Sequence, residues 1–166
     1  DLPGVPDHLV VMRAAASVCS ILREAADMGT RSATVYAAGY SELGTEEGKA
    51  LEKELRSVIK ETGLAVCGPN CLGSMSARGK SLCLPDDRIR ELVRGPVAMV
   101  GQSGTTTPGI GRTLIDRGID VSYIVTSGNE VGLTTADYIN YFVDDPDVRL
   151  VFCLIDCELS HRKSSL

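Results

Sequence analysis

Residues 96–111 read PVAMVGQSGTTTPGIG, and their order decides the fold class. Pro96–Gly101 is an apolar run of strand length, a turn of small residues follows at once, and a helical stretch runs from about Thr105 to Arg117. Gly118 suits its C-terminal stop. A strand delivered straight into a helix is the repeating step of layered α/β folds with mainly parallel sheets. The same alternation continues downstream. Val121–Thr126 reads as a strand, Thr135 to Val143 as a short helix that Thr134 or Thr135 can cap, and Val148–Ile155 as a last strand. Upstream, Leu9–Met12 reads as a strand and Ser17 to Met28 as a helix closed by Gly29. Ala33–Ala38 is the next strand, followed by a helix over Glu46–Thr62 with Leu51, Leu55, Val58 and Ile59 on one face. Leu64–Cys67 is a third strand, stopped by Gly68-Pro69.

Between these runs, residues 74–94 are polar and irregular, with Gly79 and Pro85. The domain junction is placed here. The expected organisation is a first unit over residues 1–80, a linker over 81–94, a second unit over 95–158 and an unstructured tail over 159–166. The chain lacks an initial Met, opens on the approach to a strand and closes just after one. It therefore reads as a piece of a longer protein.

Composition narrows the function classes. The chain has 166 residues, 43% of them hydrophobic and 23% charged, so a packed core is expected and disorder is not. The net charge is −5, with no basic cluster beyond Arg162-Lys163, so the electrostatic footprint of a nucleic-acid or membrane-surface binder is missing. No apolar run approaches the roughly 20 residues that span a bilayer. Cys19, Cys67, Cys71, Cys83, Cys153 and Cys157 form no CxxC pair and fit free thiols of a reducing cytoplasm. The CxxxC spacings at Cys67/Cys71 and Cys153/Cys157 lack the tighter knuckles of structural zinc, and no metal is expected.

Four strand ends could carry chemistry. In Gly101–Gly111, GQSGTTTPGIG, several N–H groups and the positive end of a helix dipole converge, which suits a phosphate. Gly104 and Gly109 have Walker A spacing, but Ile110-Gly111 replaces the Lys-[Ser/Thr] that an NTPase loop needs. A capped helix whose glycines permit close packing on the sheet explains the same letters, and spacing does not choose between the two. GPNCLG (Gly68–Gly73) follows a strand where open sheets bind ligands, or it is a tight loop with Asn70 satisfying its own backbone. YAAGYSELG (Tyr36–Gly44) should lie on the same edge as GPNCLG, and TSGNE (Thr126–Glu130) on the same edge as Ser103. His8 and His161 read as surface histidines, and no Ser/His/Asp constellation is present.

LPGVPDHLVVM, AAGYSELG, LAVCGPNCLG, GPVAMVGQSG, VTSGNE and DYINYFVDDPDVRLV, in this order over residues 1 to 158, resemble the nucleoside-diphosphate-forming acyl-CoA synthetases. These are relatives of the succinyl-CoA synthetase α subunit. The resemblance implies part of a CoA-binding Rossmann-type domain followed by part of a flavodoxin-like ligase domain. It implies an acid–thiol ligase that works through an acyl phosphate and a phosphohistidine. CoA would contact Tyr36, Ala37, Ala38 and Gly39, with Asn70 and Cys71 near its thiol end. Gln102, Ser103, Gly104 and Thr105 would seat the phosphate, and Asp156 matches a family glutamate that supports the phosphohistidine. The family's glycine-rich CoA-phosphate loop, its histidine loop and its ATP-grasp domain have no match here. ATP or ADP and Mg2+ would bind through that ATP-grasp domain or a β subunit, in a cytoplasmic homo- or hetero-oligomer. Ser160-His161 echoes the family histidine setting but comes too early, and the similarity stops after Glu158. The acid substrate is left open. A non-catalytic CoA-binding or regulatory module, such as the ligase-like part of a protein acyltransferase, is the first alternative. A Rossmann or flavodoxin-like nucleotide binder of another kind is the second.

Overall fold

The computed structural model describes residues 3–86, 89 and 92–156. The elements run β1 (His8–Val11), α1 (Ala15–Asp27), β2 (Ser32–Val35), α2 (Glu46–Thr62), β3 (Ala65–Cys67), β4 (Gly73–Ser76), β5 (Ser81–Leu82), β6 (Val97–Gly101), α3 (Thr106–Asp116), β7 (Val121–Thr126), α4 (Thr135–Val143) and β8 (Leu150–Leu154). Local chemistry sets the helix ends. The Thr45 hydroxyl accepts from the Gly48 N–H, Glu46 and Glu47 occupy the first turn of α2, and Gly63 closes it at φ 70°. At α4, Thr134 and Asp137 form a reciprocal capping box.

β1, β2 and β3 make a parallel three-stranded sheet in that order. On one of its faces, Val18, Leu22, Leu55 and Val58 of α1 and α2 pack against Val11, Ala33, Val35 and Val66. The second sheet has the order β5-β4-β7-β6-β8. β6 is parallel to β7 and β8 and wholly buried. The alternation along the strands divides its side chains between two cores. Met99 and Ile124 face α3 residues such as Ile110 and Leu114, whereas Val100, Tyr123 and Val125 pack with Phe142 of α4.

The expectation of parallel sheets is corrected at one edge. Residues 73–82, assigned from sequence to the end of the first unit and the irregular stretch, form the hairpin β4–β5. Its first strand pairs antiparallel with β7. Only Met75 marks the strand, 2% exposed and packed in the core with Leu84, Met99 and Ile124. Its neighbours Ser74 and Ser76 carry little strand propensity, and β5 is two exposed residues long.

A buried carboxylate fastens this hairpin. Asp145, just past α4, is 2% exposed. It accepts hydrogen bonds from the Tyr123 hydroxyl at 2.5 Å and the Asp147 N–H at 3.0 Å. Arg78, in the β4–β5 turn, lies 3.3 Å away, and Arg94, before β6, lies 3.8 Å away.

The two sheets are joined by the segment that follows β7. The Asn129, Val131 and Leu133 N–H groups donate to the Pro69, Gly68 and Val66 carbonyls at 2.9, 3.2 and 2.8 Å. This segment therefore lies along β3 and its continuation, and Val131 enters the first sheet's core. Two glycines allow the approach. Gly128 has φ 62°, and a Cβ there would collide with the Pro69 carbonyl; at Gly132 a Cβ would sit 2.5 Å from the Val66 oxygen. Gly128→Ala is therefore expected to cost about 2 kcal/mol through left-handed strain and overpacking. A shift of the urea midpoint with an unchanged m-value would show it. An unshifted midpoint would mean that this backbone approach is not a constraint.

Candidate functional site

The parallel strands bring their carboxyl ends to one side of each sheet, and the joint between the sheets turns those two edges toward each other. β2 runs out into Tyr36–Gly39, and β3 into Gly68–Gly73. The two are stitched by the Asn70 N–H, which donates to the Ala37 carbonyl at 2.8 Å. From the second sheet, β6 runs into Gln102–Thr105 and β8 into Asp156. Tyr36, Asn70, Cys71 and Leu72 from the first group, with Gln102–Thr105 and Asp156 from the second, line one cleft of about 430 Å³. Asn70, Gln102 and Asp156 also line an adjoining space of about 500 Å³, bounded further by Ser41, Glu42, Gly128 and Asn129.

On the second-sheet side, α3 begins at Thr106, and the Ser103 hydroxyl accepts from the Thr106 N–H at 3.1 Å. The first turn of a helix therefore opens on the cleft with Ser103 and Thr105 beside it. Gly104 lies against Leu72, whose Cγ would be 3.1 Å from a Cβ at that position. Gly111 serves close helix–sheet packing, since a Cβ there would lie 2.5 Å from Ile124 Cδ1. The close-packing reading of GQSGTTTPGIG therefore holds at Gly111. The Gln102 side chain accepts from the Asp156 N–H at 2.9 Å, which fixes the chain just past β8.

On the first-sheet side, the Tyr36 ring borders the cleft while its hydroxyl donates to the Cys83 carbonyl. Burial pushes the phenol up to about 12, so it is a neutral donor at physiological pH. Ala37 is half-buried and Ala38 exposed, which offers backbone and room but no charge. Cys71 borders the cleft but is only 3% exposed, and its thiol points at the Val35 carbonyl 3.4 Å away. The neighbouring Cys67 thiol and burial both raise its pKa. This thiol stays protonated at neutral pH and is unsuited to nucleophilic work. Asn70 is exposed, with φ 55°.

Two residues of the YAAGYSELG and TSGNE segments, neither singled out from sequence as a binding residue, complete the arrangement. Glu42 accepts from the Gly39 N–H at 2.6 Å, the Tyr40 N–H at 3.1 Å and the Asn129 side-chain amide at 2.6 Å. Burial disfavours its charge, but the Gly39 N–H, the Asn129 amide and the Tyr40 N–H outweigh that and hold the carboxyl below its ordinary range. Asn129 in turn accepts from the Asn70 amide at 3.2 Å. The available signal was a glutamate three residues after Gly39 in a turn. Its partner, 87 residues away, had no local signature.

Among the described residues, no group of three or more His, Cys, Asp or Glu side chains could hold a metal ion. Cys157, Glu158, Ser160, His161 and the Arg162-Lys163 pair lie outside the described residues. No described helix is long and apolar enough to cross a membrane.

Comparison with known proteins matches both parts of the chain to families. Residues 1–77 match the CoA binding domain family, and residues 94–163 match the family described as succinyl-CoA ligase like flavodoxin domain. The second match continues past Glu158, where the motif-based similarity ends. The chain is 30% identical over 159 residues to a trans-feruloyl-CoA synthase from an unknown prokaryotic organism, covering 94% of this chain and 22% of that protein. It is also 30% identical over 156 residues to the α subunit of ADP-forming acetate–CoA ligase II from Pyrococcus furiosus, covering 94% of this chain and 33% of the relative. The apo structure of the dinucleotide-forming acetyl-coenzyme A synthetase 1 of Ca. Korarchaeum cryptofilum superposes with a TM-score of 0.85 at 25% identity, over 98% of this chain and 34% of that one.

The fold is thus a CoA-binding domain leading into a ligase-type flavodoxin-like domain, with a shared cleft at their strand ends. Its two parts match the CoA binding and succinyl-CoA ligase like flavodoxin families in that order, and the chain as a whole is similar to nucleoside-diphosphate-forming acyl-CoA synthetases. It spans between about a fifth and a third of the length of these curated relatives.

Proposed function

We propose that this chain supplies the CoA-binding and phosphate-receiving part of an acyl-CoA synthetase that forms a nucleoside diphosphate. One observation supports this above the others: residues read as CoA contacts and residues read as a phosphate seat line the same cleft. Tyr36–Gly39 receive the pantetheine arm, with Asn70 and Cys71 nearest the thiol. Gln102–Thr105 hold the phosphoryl group of an acyl phosphate, where the first N–H groups of α3 and the Ser103 hydroxyl stabilise its charge. Holding thiol and acyl phosphate side by side lowers the barrier to acyl transfer through proximity. Asp156, exposed at the cleft mouth, supports a phosphorylated histidine brought there by another segment. ATP and Mg2+ act at an ATP-grasp domain or subunit, and the enzyme works in the cytoplasm.

Calorimetric titration with CoA, NADH and FMN tests this reading. CoA is expected to bind near the millimolar range, roughly 4 kcal/mol, and the other two not at all. Tighter binding of NADH or FMN would favour a nucleotide-binding protein of another kind.

A further inference from the structure

Glu42 is left unexplained by the chemistry proposed for the cleft. It neither seats phosphate nor lies among the residues read as CoA contacts. Yet its carboxylate accepts from three donors in two different parts of the fold. The Gly39 and Tyr40 N–H groups belong to the loop that ends β2. The Asn129 amide belongs to the segment that leaves the second sheet. Asn129 then accepts from Asn70, in the loop that ends β3. The path therefore runs from the β2 loop through Glu42 to Asn129 and back to the β3 loop, closing a ring at the junction of the sheets. The Asn129 backbone is pinned separately by its N–H bond to the Pro69 carbonyl. Two residues earlier, the Ser127 N–H donates to the Gly101 carbonyl at 2.9 Å, which ties the same segment to the end of β6 that runs into Gln102–Thr105.

We propose that Glu42 is a positioning residue that couples the two sides of the cleft, so that CoA on the first sheet and phosphate on the second assist each other's binding. This rests on the cleft reading above. Glu42 touches neither ligand in this scheme. It holds the Tyr36–Tyr40 loop in its binding shape and registers that loop against Asn129. A loop held in place by one ligand loses less freedom when the second binds, and such coupling is reciprocal.

The hydrogen-bond polarity gives a test with an internal rescue. In Asn129→Asp a carboxylate faces the Glu42 carboxylate where an amide donor stood, so the link is replaced by repulsion. Adding Glu42→Gln restores it with the donor and acceptor exchanged. The glutamine oxygen still accepts from Gly39 and Tyr40, and its amide donates to the introduced carboxylate, which still accepts from Asn70. The Kd for CoA is measured with and without inorganic phosphate in the wild-type chain, N129D and the E42Q/N129D double variant. Amide hydrogen exchange at Gly39 is followed in parallel.

In the wild type, phosphate should tighten CoA binding by about threefold, within the range of ordinary coupling free energies. In N129D that factor should fall to one, CoA should weaken by about fivefold as expected for like charges in partly exposed surroundings, and Gly39 should exchange faster. The double variant should recover all three. A wild type that binds no CoA would sink the cleft reading along with the coupling. A wild type that binds CoA, with N129D retaining the phosphate effect and Gly39 protection, would overturn the coupling alone. An N129D defect that the double variant does not recover would also overturn it, since the lost interaction would then not be this hydrogen bond.

Discussion

Asp145→Asn should destabilise the chain by about 3 kcal/mol at neutral pH, the low end for removing one member of a buried charge pair. The carboxylate is 2% exposed and is met by the Tyr123 hydroxyl, the Asp147 N–H and two arginines. The arginines are themselves about half exposed, which keeps the expected loss at that low end. An asparagine fills the space but offers Arg78 and Arg94 no charge. Stability should also depend on pH in a definite direction. The Tyr123 hydroxyl foremost, with the Asp147 N–H and Arg78, holds this carboxyl below its ordinary range against the opposing effect of burial. A carboxyl whose folded pKa is depressed stabilises the fold above its unfolded value, about 3.9. That contribution is lost as pH falls through the folded pKa. The gap between wild type and Asp145→Asn in urea unfolding should therefore be full at pH 7 and shrink below about pH 4. An equal gap at pH 7 and pH 3 would show that charge is not its source.

The second large effect concerns function with stability held constant. Ser103→Asp should weaken phosphate binding at least tenfold, about 1.4 kcal/mol or more, while leaving the melting temperature unchanged or slightly raised. Ser103 accepts from the Thr106 N–H at the start of α3. Aspartate is as good an acceptor there and its charge suits a helix N-terminus. The same charge occupies the electrostatic niche that a phosphate would use and repels it. A Ser103→Asp chain that bound phosphate as well as wild type would remove α3 from the site. A large fall in melting temperature would mean that Ser103 is chiefly structural.

Much of the architecture was legible because the signals were local. α2 begins at a threonine cap and ends at Gly63, and α4 carries its capping box in its own letters, so both helices are found where the sequence places them. β7 lies where the VSYIVT run marks a strand, and its six residues are all buried. The β4–β5 hairpin was not legible, because Ser74 and Ser76 are strand residues only by virtue of β7 beside them. The meeting of Tyr36 and Asn70 followed from parallel strands sharing an edge. Their meeting with Ser103 did not, since it depends on the segment after β7 lying along β3. Gly128 and Gly132 look like ordinary turn glycines until the carbonyls of Pro69 and Val66 are found against them. The link from Glu42 to Asn129 was invisible for the same reason: it spans two sheets and has no spacing to announce it.

The cleft itself is open to direct mapping by two-dimensional amide NMR of the uniformly labelled chain during titration with CoA and then with inorganic phosphate. CoA should move the resonances of Tyr36–Gly39 and Asn70 first, with phosphate added afterwards moving Ser103–Thr106. Shifts confined to residues that do not line the cleft, or none up to about 10 mM CoA, an affinity weaker than ~3 kcal/mol, would contradict a shared CoA and phosphate cleft at the strand ends.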